Sequence, residues 1–111
     1  MNINYFMQKA LDQANLGLIA NEVPIGGVLV DNNSHAIISK SHNLVNFNKN
    51  ATSHAEIIII NDACKIRNSK YLTETSLFIT LEPCAMCAAA ISEVHINNIY
   101  FGAYDEKKGS I

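Results

Sequence analysis

Charge is scarce in this 111-residue chain: Asp, Glu, Lys and Arg make up 16% of it against 49% hydrophobic residues, and the net charge is −2 with a pI near 6.0. Without a positive excess the chain is not held to nucleic acid by a broad basic field, although a local contact stays open. Long apolar runs are missing too. No stretch reaches the roughly 18 apolar residues of a membrane span, and the opening M-N-I-N-Y-F-M-Q-K-A lacks the charged start and unbroken apolar stretch of a signal peptide. The reading is a cytoplasmic protein with no membrane association. Cysteine is limited to three residues, Cys64, Cys84 and Cys87. An odd number in a reducing compartment argues against a disulfide framework and for metal or catalytic use. Cys64 stands alone and reads as a packing residue. Linkers, internal repeats and low-complexity tracts are absent, so residues 1–111 read as one domain, large enough for a single core. The mean hydropathy is slightly positive, +0.09. A domain this small then carries more apolar surface than it hides alone, and an oligomer is expected.

What is present is a regular alternation of elements. Phe6, Ala10, Leu11, Ala14 and Leu18 fall at helical spacing and predict an amphipathic helix over 4–20 with those residues on the core face. V-L-V at 28–30 and A-I-I at 36–38, joined by D-N-N-S, predict a hairpin. Residues 40–52, rich in Ser, Asn and Lys, read as a loop. A segment to Arg67 follows, then a strand at 77–81, a small-residue helix from Cys84 to Val94 and a strand at 99–101. The order α-β-β-α-β-α-β implies a sheet covered by helices, an α/β domain.

The segment S-H-A-E-I-I-I-I at 53–60 is ambiguous by itself. Four isoleucines favour a buried strand, whereas Ser53 and Glu56 have the S-x-x-E spacing of a capping box at a helix start. The stretch L-E-P-C-A-M-C at 81–87 bears on the choice. A lone C-x-x-C is a redox pair, half of a structural zinc site, or chance; a structural site wants four protein ligands, and no second cysteine pair exists. His54 adds an imidazole to the two thiols. Three ligands leave one tetrahedral position open, which distinguishes catalytic from structural zinc, and Glu56 is left off the metal to handle protons. The pattern H-x-E…P-C-x-x-C, filled by His54, Glu56, Pro83, Cys84 and Cys87, is the signature of zinc nucleobase deaminases. Convergence on one ion places His54 and the C-x-x-C each at a helix start, where the dipole favours thiolates. The helix reading follows for the isoleucine segment, tertiary context overriding propensity.

Beyond those five residues, E-V-P-I-G-G-V-L-V at 22–30, Asn43, S-H-A-E-I at 53–57, L-F-I-T-L-E-P-C-A-M-C at 77–87 and I-Y-F-G-A-Y-D-E-K-K-G-S at 99–110 carry a family likeness. The chain resembles the cytidine deaminase-like superfamily and, within it, the bacterial tRNA-specific adenosine deaminases of the TadA type. The resemblance implies a three-layer α-β-α sandwich with a central mixed sheet, one Zn2+ per chain on His54, Cys84 and Cys87, and Glu56 as the catalytic acid and base. It implies further that Asn43 bonds the purine edge, that Val23, Pro24 and Ala55 line the pocket, and that a backbone amide beside Pro83 and Cys84 faces the reacting oxygen. Asp105 and Lys107 fall in the RNA-facing segment. A homodimer is implied as well, with Ala85, Ala88, Ala89 and Ala90 letting a partner approach closely. Tyr104 stands where relatives carry arginine, and the chain stops at Ile111, where they continue into a further helical segment. His35 and His42 read as surface residues.

Three functions fit this reading. The first is hydrolytic deamination of adenosine to inosine at the wobble position of a tRNA anticodon loop, whose bases are unpaired and splay out readily. The second is deamination of a free base or nucleoside, guanine or cytosine, by the same zinc chemistry. The third is an inactive zinc-bound partner subunit.

Overall fold

The computed structural model describes residues 1–111. Its elements run α1 (Ile3–Ile19), β1 (Gly26–Asp31), β2 (Ile37–His42), α2 (Val45–Asn48), α3 (Ala55–Arg67), β3 (Thr75–Ile79), α4 (Ala85–Glu93) and β4 (Asn98–Phe101). The strands form one sheet in the order β2-β1-β3-β4, antiparallel across β2-β1 and β1-β3 and parallel across β3-β4. The expected α/β architecture with a mixed central sheet is what is found.

Side chains alternate across that sheet with the two-residue period of a strand. Val28, Val30 and Phe78 face α1 and pack with Phe6 and Ala10. Leu29, Leu77 and Ile79 face the other way, against Ile59, Ile60 and Ala63 of α3 and Ile91 of α4. All six strand residues are fully buried. Helices on both faces make the three layers and leave the central strands almost wholly apolar.

α1 corrects one expectation. Its buried stripe is Phe6, Ala10, Ala14 and Gly17, while Leu11 and Leu18 are 44% and 59% exposed. The stripe is narrow and built of small residues because β1 runs against the helix backbone: a Cβ on Gly26 would collide with the backbone nitrogen of Ala14. The bulky leucines lie off that line of contact. In the 40–52 stretch, β2 continues to His42 and a single helical turn, α2, follows it. Cys64 packs at the edge of the core, as anticipated. His42 does not sit on the surface; it is half-buried against Gly17, its Nδ1 2.8 Å from the Asn43 carbonyl.

The isoleucine segment is helical, and Ile59 and Ile60 are buried. Its start is not a capping box. The N-cap is His54, so Glu56 sits one position too early to reach back, and Ser53 Oγ instead accepts from Asn48 Nδ2 at 3.2 Å. The first free amide of the helix, Ala55 N–H, donates to Asn43 Oδ1 at 2.8 Å. A residue from the end of β2 therefore closes the helix start, and the Glu56 carboxylate is left for other work.

Candidate metal centre and cleft

Two helix starts converge. His54 is the N-cap of α3 and Cys84 the N-cap of α4, both in extended backbone, and neither uses its side chain to cap its own helix. N-cap side chains ordinarily bond the free amides of the first turn; here both turn toward each other. His54 Nδ1 lies 3.6 Å from Cys84 Sγ and 3.4 Å from Cys87 Sγ. All three donor atoms lie within 4.8 Å of one another.

Those separations fit a zinc ion. Bonds of about 2.3 Å to sulfur and about 2.0–2.1 Å to nitrogen, meeting at a tetrahedral angle, set an N···S edge of about 3.6 Å. Burial pushes the Cys87 thiol well up, and the neighbouring Glu56 and Cys84 push it further. A buried thiol of that kind becomes a thiolate only beside a cation, and a coordinating thiol gives up its proton outright. His54, Cys84 and Cys87 therefore could hold one metal ion through three donors.

Glu56 sits in the first turn of α3, two residues after His54, and is 4% exposed. Burial raises its carboxyl above the ordinary value, opposed by its own backbone N–H, by His54 and by Cys87. A carboxyl moved toward neutrality is suited to take up and release a proton in one cycle.

A cleft of about 290 Å3 opens over the cluster, lined by Val23, Ile25, Asn43, His54, Glu56, Leu81, Glu82, Cys84, Asp105 and Lys108. That is at the small end of ligand pockets, about 300–1,000 Å3. It brings together His54, Cys84, Glu56, Asn43, Val23 and Asp105 from the sequence reading; Cys87 lies beneath, fully buried. Pro24, Ala55 and Pro83 do not line it. Pro24 is exposed, Ala55 is fully buried with its amide held by Asn43, and Pro83 is buried with its carbonyl accepting from Ser110 N at 3.1 Å. Ile25, Leu81, Glu82 and Lys108 were not anticipated. Their sequence signal was a place inside the stretches that carry the family likeness, Ile25 in 22–30, Leu81 and Glu82 in 77–87 and Lys108 in 99–110. Tyr104 is 75% exposed, its ring edge-on to Phe101.

This fold and this donor set define a zinc deaminase. The chain belongs to the family of the cytidine and deoxycytidylate deaminase zinc-binding region, whose model matches residues 1–103. It is 49% identical over 105 residues to the tRNA-specific adenosine deaminase of Rickettsia bellii, an overlap of 95% of this chain and 72% of that protein. Among solved structures, one from work on A-to-I editing by tRNA:A34 deaminases superposes with a TM-score of 0.91 at 42% identity, covering 96% of this chain and 75% of the other. Guanine deaminase from Bacillus subtilis superposes with a TM-score of 0.88 at 32% identity, covering 94% and 66%.

Proposed function

We propose that the chain is a zinc-dependent hydrolase converting adenosine to inosine at the wobble position of tRNA anticodons. The observation that carries this reading is the 49% identity to a tRNA-specific adenosine deaminase across 95% of the chain. In it, His54, Cys84 and Cys87 hold one zinc per chain. When bound, the metal supplies a Lewis acid that brings the pKa of water down toward about 7. Glu56 would take a proton from the attacking water as the water oxygen bonds to C6 of the purine, deliver it to the ring nitrogen, and carry the second proton to the amine as the C6–N bond breaks and ammonia leaves. The products are inosine and ammonia, one water consumed. Asn43, its Oδ1 committed to Ala55, has its side-chain N–H2 left to donate to the purine edge. Val23, Ile25 and Leu81 shape the apolar walls.

A base has to leave its stack to reach a cluster set at the foot of a cleft, so the target nucleotide enters splayed from its neighbours, as an anticodon loop permits. A cytoplasmic setting suits unpaired cysteines and an RNA substrate; no helix is long and apolar enough to cross a membrane. A homodimer fits the exposed Ala85, Met86 and Ala89 on α4, and sedimentation at micromolar concentration showing only monomer would remove it. Residues 1–111 act as one zinc-dependent deaminase domain.

The likeness to guanine deaminase supports a second reading, a free-base deaminase. Incubating the protein with an anticodon stem-loop bearing wobble adenosine, and separately with adenosine, adenine, guanine and cytosine, decides between the two. Inosine in the stem-loop with little free-base turnover is expected; rapid ammonia release from a free base beside an untouched stem-loop overturns the proposal.

A further inference from the structure

Three carboxylates, Glu56, Glu82 and Asp105, line the cleft, and Lys108 is the single lysine or arginine among its lining residues. For a polyanion approaching such a wall, Lys108 is the one lining lysine or arginine that attracts. Lys108 belongs to the segment after β4, and what holds this segment over the cleft is a buried side chain with no assigned role.

Glu82 is 7% exposed. Its Oε1 accepts from Asp105 N at 3.1 Å and its Oε2 from Ile111 N at 2.7 Å, bridging 23 and 29 residues of chain. No lysine or arginine pairs with it; the one such ion pair in the chain joins Arg67 and Asp31. Both lobes of a buried carboxylate are thus spent on backbone amides at the two ends of one turn, charge-assisted bonds stronger than neutral ones. Around them, Gly109 N donates to Asp105 O at 2.9 Å, Gly109 bridges to Cys84, and the Asp105 side chain accepts from the amides of Lys107 and Lys108. A Cβ on Gly109 would collide with the Glu82 carboxylate, so the fit requires glycine there.

We infer that Glu82 is a positioning residue: by fastening residues 105–111 it sets Lys108 at the cleft, where the ammonium meets a phosphodiester flanking the target nucleotide and favours RNA-linked adenosine over a free base. This rests on the functional reading above. A free base or nucleoside has no phosphate to meet Lys108 and gains nothing from the turn.

The test compares Glu82→Gln, Lys108→Ala and the double variant on an anticodon stem-loop, with zinc content and amide hydrogen exchange measured on each. The glutamine keeps one acceptor and sets an N–H2 against the other amide. Each single variant is expected to raise KM about tenfold, equivalent to one lost charge-assisted contact, with kcat within about threefold of wild type and zinc retained. The double variant is expected to match Lys108→Ala alone, because Glu82 acts through Lys108. Lys108→Ala should also flatten the dependence of log KM on log salt by roughly one phosphate's worth. Gly109→Ala displaces the turn from its other side and should reproduce the Glu82→Gln rise in KM, so a Glu82 variant that fails to fold leaves the idea exposed to test. Additive single effects, a silent Lys108→Ala, or loss of kcat and zinc at unchanged KM overturn it. If wild type deaminates a free base and ignores the stem-loop, the functional reading fails and the phosphate contact with it. Exchange at Asp105 and Ile111 then decides the positioning role: faster in Glu82→Gln sustains it, unchanged overturns it.

Discussion

The two ends of α3 are built to opposite purposes. At its start, the N-cap His54 makes no side-chain cap, the first free amide is held by a residue twelve positions earlier, and Glu56 is buried without a cationic side chain as salt-bridge partner. At its end the capping groups and Arg67 serve the fold. Asn68 adopts the left-handed conformation that terminates a helix, Ser69 N donates back to Cys64 O, and Lys65 and Arg67 face the negative end of the dipole. Arg67 also donates to Thr73 O and pairs with Asp31, which in turn holds the amides of Asn33 and Ser34 at the β1-β2 turn. One helix thus spends its last turn on closure and leaves the polar side chains of its first turn for chemistry, a division seen where local rules of stability yield to function.

Substitutions at the two ends should therefore separate activity from stability. The largest effect is expected from Cys87→Ser, which removes a donor from the cluster below the helix start: elemental analysis should find well under half an equivalent of zinc, and deamination should fall by more than the about 10–100-fold that groups merely supporting metal ligands cost. Full zinc with full activity would break the comparison at its root. Glu56→Gln comes next. Activity is expected to drop about 10²–10⁴-fold, the range for losing a general acid and base, while zinc stays and the thermal midpoint holds or rises, since a buried carboxyl gives way to a neutral amide. Loss of metal with activity would make Glu56 a ligand.

At the other end, Arg67→Ala removes a hydrogen bond and a partly exposed ion pair, and should cost about 1 kcal/mol of stability by denaturant titration with kcat and KM unchanged. A change in kcat there would erase the distinction between the ends. The smallest effect is on pH dependence. The amides of Ser34 and Asn33, with Arg67 adding less, hold the Asp31 carboxyl below its ordinary value. A group depressed in the folded state stabilises above its unfolded pKa and loses that contribution as pH falls through the folded one. The thermal midpoint of wild type should therefore decline below about pH 4, and Asp31→Asn should flatten that decline more than Arg67→Ala, because the backbone amides are the larger cause.

The same contrast shows which features were legible in the residues. The D-N-N-S turn was visible as a local pattern, since its bonds join near neighbours, and the segment was read to Arg67, where α3 ends. At the N-terminal end the local pattern misled: S-x-x-E matched a capping box, but His54 took the N-cap and shifted Glu56 out of register. Leu11 and Leu18 misled in a similar way, because helical periodicity marks an apolar face without saying how wide a strip the sheet can touch. Pro24, Ala55 and Pro83 are adjacent in sequence to cleft residues without lining the cleft, as neighbouring residues point in different directions.

The amino-acid sequence by itself determined the chemistry and the fold class: His54, Glu56, Cys84 and Cys87 at spacings that serve a three-ligand zinc site, and an order of elements that covers a sheet with helices. Side-chain identity and short-range period are properties of the chain alone. Only the tertiary structure decided that Asn43 closes α3, that Glu82 fastens residues 105 and 111, and that Lys108 stands at the cleft. The hydrogen bonds join groups 12 to 29 residues apart and the cavity joins residues still farther apart, meetings that only the packed sheet and helices bring about.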